Sequence, residues 1–96
     1  MTTQTLAQVI QQARDEAKTV LSALEQAGHP QTEESSAVYL GLVTLQKRLA
    51  GTGPSGAAVL APEIDQLAAL CTRKLERLKP LLEQAARLAR GGAAPP

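Results

Sequence analysis

The densest run of apolar side chains is Ala37 to Leu45, AVYLGLVTL, in the middle of the chain. At about 100° per residue, Val38, Leu42, Leu45 and Leu49 fall on one line, the spacing of a helix that packs a seam against its neighbours. Tyr39, Leu40 and Val43 fall elsewhere on the same cylinder, so one packed seam does not bury them all. A strand is the rival reading, since Val38, Tyr39, Val43 and Thr44 all suit strands. It loses because the pattern continues through Gln46, Lys47, Arg48 and Leu49 and no second strand is available to pair. Thr32 is the expected N-cap, with Glu33 and Glu34 at the positive end of the helix dipole. The spacing predicts a helix over 33–50.

Before it, Leu6, Ile10, Ala13, Ala17, Val20, Leu24 and Ala27 advance by alternating four and three, with Val9 and Leu21 widening the seam. Gln8, Gln11, Gln12, Asp15 and Ser22 occupy the opposite side, which makes the segment amphipathic. Thr3 or Thr5 caps its start, and Gly28 followed by Pro30 ends it, predicting a helix over 5–27. The connection from Gly28 to Thr32 is short, and short connections make antiparallel neighbours. The first two helices are therefore expected to form a hairpin. Ala13 and Ala17 on one helix and Ala37 and Gly41 on the other are small residues that would let the two backbones approach.

After the GTGPSG stretch at 51–56, Pro62 with Glu63 and Asp65 reads as a fresh N-terminus. The seam Leu60, Ile64, Leu67, Cys71, Leu75, Leu78, Leu82 and Ala85 then describes a long third helix. Pro80 lies inside it and predicts a kink, or a break near Lys79 with a restart at Pro80. The expected fold is thus all-α: an antiparallel three-helix bundle, built as a hairpin plus a long, Pro80-kinked third helix. One domain over 1–90 and a disordered tail over 91–96 complete the organisation.

Composition narrows the picture. A chain of 96 residues buries only roughly 60–65% of its unfolded surface. Phe and Trp are absent and Tyr39 is the sole aromatic, so the core is Leu and Ala, which suits closely packed helices. It also raises the expectation of self-association or an obligate partner, because aromatic side chains supply much of the burial in small cores. The net charge of +1 gives no general attraction to nucleic acid or anionic membrane. The single cysteine, Cys71, allows no internal disulfide, and with no basic segment leading into an apolar one the expected location is cytoplasmic. The longest apolar run is about half the roughly 20 residues needed to cross a bilayer.

No stretch carries recognisable chemistry. The glycines of 51–56 match the letters of nucleotide-binding loops but lack the preceding strand, and Ala57 and Ala58 stand where a phosphate loop needs Lys and Ser or Thr. His29, between Gly28 and Pro30, has no indicated partner for acid–base work. Cys71 lies on the core-facing seam, where a thiol behaves as a small hydrophobe. Helical metal-dependent nucleotide pyrophosphohydrolases use Glu-Glu-x-x-Glu and Glu-x-x-Asp. Here Glu33 and Glu34 are followed by Ala37, and Glu63 by Gln66, so each motif lacks a ligand. No zinc set is available within one chain. No catalytic residue, metal or cofactor is expected.

What is left is surface. The sequence predicts a protein–protein interaction module, an adaptor, a chaperone-like protein or a regulatory subunit. Its contact residues would be Tyr39, Leu40 and Val43, and its partner another protein or a second copy in a homodimer. The alternative is nucleic-acid association through Arg73, Arg77 and Arg87, flanked by Lys74, Lys79 and Arg90 and offset by Glu76 and Glu83. That surface has few cations and no aromatic platform for bases.

Overall fold

The computed structural model describes residues 5–52 and 57–90. Among these the chain is all-α, with four α-helices and one 3₁₀ helix where the periodicity predicts three helices. They are α1 (Leu6–Ala27), α2 (Thr32–Thr52), α3 (Ala57–Leu70), a 3₁₀ helix (Arg73–Leu78) and α4 (Lys79–Ala89). The expected tail at 91–96, and most of the glycine-rich stretch, lie outside the described residues.

Helix α1 follows its sequence signals closely. Thr5 is the N-cap: its hydroxyl accepts from the Gln8 N–H at 3.2 Å, and Gln8 Oε1 accepts from the Thr5 N–H at 2.9 Å, a reciprocal capping box. Gly28 closes the helix in the left-handed conformation with φ 63°, a geometry in which a side chain is strained. The turn then leads into α2, one residue earlier than expected. The Gln31 carbonyl already accepts from the Ser35 N–H at 2.9 Å, and the Thr32 hydroxyl donates back to the His29 carbonyl at 2.7 Å instead of capping forward.

The α1–α2 hairpin is antiparallel. Gln46 near the end of α2 reaches both Arg14 and Gln11 near the start of α1, at 2.7 and 2.6 Å. Across the seam, Val9, Ile10, Ala13, Ala17, Val20 and Leu24 of α1 are buried with Val38, Leu42 and Leu45 of α2. Ser35 is buried beside this seam, with its hydroxyl unpaired.

The third expected helix is instead three elements. Helix α3 begins at Ala57, so Pro62 lies inside it rather than at its start. The chain then leaves the helix at Cys71–Thr72, well before Pro80. Thr72 is extended (φ −121°, ψ 160°), and Arg73 has φ 55°, a left-handed conformation that costs a non-glycine residue about 1 kcal/mol. The Gln31 side chain holds this break: its Nε2 donates to the Thr72 carbonyl at 3.0 Å, and its Oε1 accepts from the Lys74 N–H at 3.0 Å. The Lys74 N–H thereby gains its partner, and the Thr72 carbonyl a second donor beside the Leu75 N–H at 3.0 Å. Of the two expectations at Pro80, the kink is not found, whereas a new helix does start at Lys79. Pro80 sits in the first turn of α4, where its missing N–H has no helical partner to lose.

The break folds α4 back onto α3. Helix α1 packs on α2 and α4, and α3 packs extensively on α4 and more sparsely on α2. The predicted seam largely survives this rearrangement: Leu60, Ile64, Cys71, Leu75, Leu78, Leu82 and Ala85 are buried in the common core, and Leu67 is half-buried against it.

Candidate partner-binding face

The orientation of α2 about its own axis is fixed from three directions. Its core seam faces inward. On one flank Gln46 is held by Arg14 and Gln11 of α1. On the other, Leu67 of α3 packs onto the bare backbone of Gly41, and Arg48 pairs with Glu63 of α3. At 100° per residue Leu40 then points directly away from the core.

The three predicted contact residues accordingly differ. Leu40 is 58 % exposed. Val43 is half-buried, and Tyr39 is partly buried and packed against the core. Ala37 and Thr44 beside Leu40 are exposed and Ser36 is half-buried, while Glu33 and Lys47, at the two ends of the same strip, are both exposed. On α3, Leu70 is 47 % exposed, one turn past Leu67 where that residue meets Gly41. Burying a Leu side chain is worth about 1.5–3 kcal/mol, so this strip can reward an apolar neighbour.

The expected approach of small residues is corrected by this geometry. Ala13 and Ala17 are fully buried, but Ala37 faces solvent and Gly41 receives α3, not α1. A four-residue spacing of small side chains marks a place of close packing without saying which neighbour fills it.

The basic residues do not form one face. Arg73, Lys74 and Arg77 lie on the 3₁₀ helix, whereas Arg87 and Arg90 lie at the far end of α4. Arg77 pairs with Glu16 of α1 at 2.9 Å, and Arg90 pairs with Asp65 of α3. Glu76 and Glu83 share a shallow surface hollow with Lys79 and Pro80.

The remaining candidates, His29 and Cys71, are both held in contacts of the fold. His29 Nδ1 accepts from the Gln31 N–H at 3.0 Å, an arrangement that shapes the hairpin turn. The Cys71 thiol is buried and donates to the Leu67 carbonyl at 3.3 Å. Burial pushes its pKa up to about 11, opposed in part by the positive charge of Lys79, so it is no thiolate nucleophile at neutral pH. Among the described residues, no three His, Cys, Asp or Glu side chains converge as metal ligands, and no helix is long and apolar enough to cross a membrane.

Gln31 is the residue that sequence reasoning misses. It is only 1 % exposed and joins the α1–α2 turn to the start of the 3₁₀ helix, yet in the sequence it is one more polar residue in a short connection. Compared with known proteins, the chain has no matching family model, curated sequence or solved structure. The functional reading therefore rests on the chain's own geometry.

Proposed function

We propose that the chain is a protein–protein interaction module that acts by helix-on-helix packing through the outer face of α2. Leu40 is the central contact, with Tyr39 and Val43 at its border. The observation that carries this reading is the exposure of Leu40 on a helix whose rotation is already fixed by the core seam and by polar contacts on both flanks. Turning α2 to hide Leu40 would break those contacts, so a partner is the economical way to cover it. The nucleic-acid alternative draws less support, because Arg77 and Arg90 are engaged with Glu16 and Asp65 and the cations are split between two elements.

A photocrosslinker tests the reading. With p-benzoylphenylalanine in place of Leu40, irradiation of the cells that make the protein should give discrete covalent adducts. The same group in place of Lys18, on the exposed side of α1, should give none. Equal labelling at the two positions, or none at either, would sink the proposal. With the crosslinker at the neighbouring exposed Thr44 instead, Leu40→Asp should abolish partner capture while changing stability by less than about 0.5 kcal/mol, the usual range for an exposed site.

A further inference from the structure

Resting on that reading of α2 as a docking face, we propose that its occupant is a second copy of the chain, packed α2 against α2, antiparallel, about a twofold axis beside Leu40. The argument is one of self-complementarity. A helical face repeats every seven residues to within about 20°, and Glu33, Leu40 and Lys47 are spaced by seven. The strip therefore carries an acid at one end, an apolar side chain at its centre and a base at the other end, all exposed.

Reversing a copy of this strip about Leu40 sets Glu33 of each chain against Lys47 of the other, with Leu40 meeting its own counterpart. In such an isologous contact each favourable pair occurs twice. Parallel pairing would instead oppose Glu33 to Glu33 and Lys47 to Lys47.

The flanking positions suit a close approach. On one side of the contact Ala37 of one chain meets Thr44 of the other, and on the other side Ser36 meets Val43. None of these is larger than valine, and helix axes come nearest where the side chains between them are small. The strip from Glu33 to Lys47 is about 21 Å long at 1.5 Å per residue. One helix face of that length buries less than the roughly 1,200 Å² of standard interfaces, so the dimer is a weak, exchanging one with a micromolar to submillimolar Kd.

Sedimentation of the purified chain over a concentration series should show a reversible monomer–dimer equilibrium. Lys47→Glu should raise the Kd on the order of tenfold, since both symmetry-related ion pairs become repulsive. Adding Glu33→Lys to it should bring the Kd back. Under mild oxidation Leu40→Cys should form a disulfide-linked dimer. Glu33→Cys and Lys47→Cys should each fail alone and should cross-link when mixed. Wild-type Cys71, being buried, supplies the unreactive control.

A chain that stays monomeric at all concentrations overturns the proposal, as does a dimer indifferent to the charge swap. If the photocrosslinker at position 40 captures other proteins while the purified chain stays monomeric, the twofold dimer is wrong and the docking face stands. If it captures nothing, both are wrong.

Discussion

Leu67 of α3 lies so close to the backbone of Gly41 in α2 that a Cβ added at position 41 would stand 2.6 Å from Leu67 Cδ2 and 3.3 Å from its Cδ1. Two effects compete in Gly41→Ala. Alanine favours the helix by about 1 kcal/mol over glycine, and the new methyl displaces a leucine side chain. Because Leu67 is only half-buried, it can swing outward at a cost of similar size, about 1 kcal/mol of lost burial. Urea denaturation should place Gly41→Ala within about 0.5 kcal/mol of wild type, whereas in a Leu67→Ala background the same change should stabilise by about 1 kcal/mol. Strict additivity of the two substitutions would show that the contact carries no energy.

Gln31 should be among the costliest polar residues to remove. Gln31→Ala strands the Lys74 N–H and takes from the Thr72 carbonyl the second of its two donors, the first being the Leu75 N–H at 3.0 Å. One stranded backbone group costs about 1–3 kcal/mol, and with Lys74 at the surface and the Thr72 carbonyl still paired a loss of about 1–2 kcal/mol is expected. Amide exchange provides the local readout, since the Lys74 N–H should lose its protection first. A variant destabilised by less than about 0.5 kcal/mol, with Lys74 still protected, would contradict this role.

These two contacts mark where the sequence was legible and where it was not. Apolar periodicity located most of the core seam of the α-helices, because burial there follows the 3.6-residue repeat; Ile10, Leu42 and Leu82 are buried as their spacing requires, while Leu49 and Leu67 are only half-buried and Ala27 is exposed. The outward face of α2 followed from the same geometry, although Tyr39, read as equivalent to Leu40, is drawn against the core. The break at Thr72 left no local trace. It contains neither Gly nor Pro, and the side chain that stabilises it lies 41 residues away. Without that break a three-helix bundle is the natural reading; with it, α4 turns back and a fourth helix appears.

The two internal prolines should respond to alanine substitution with opposite signs. Pro80 is in the first turn of α4, where its fixed φ suits the helix and no hydrogen bond is forfeited. Pro80→Ala should therefore destabilise by about 0.5 kcal/mol through the added freedom of the unfolded chain. Pro62 lies beyond the first turn of α3, where a proline removes a bond to the carbonyl one turn back and crowds it. Pro62→Ala should stabilise by about 1 kcal/mol. Thermal melts of the two variants on either side of wild type would bear this out, and shifts in the same direction would not.

The buried thiol predicts how stability changes at alkaline pH. Burial raises the Cys71 pKa from 9.0 to about 11, so the unfolded chain releases this proton at lower pH than the folded one. Between these two values the unfolded state binds fewer protons, and stability falls as pH rises. Below pH 9 the folded and unfolded thiols are both protonated and the contribution is fully present. Other groups titrate in the same window, so the informative quantity is the difference between wild type and Cys71→Ala. Wild type should lose stability relative to the variant as pH is raised from 9 towards 11, with little change in the difference between pH 6 and 8. A thiol reagent should label native Cys71 slowly and the urea-unfolded chain quickly. Rapid labelling of the native protein, or a difference flat across the alkaline range, would mean that the thiol is not held in the core.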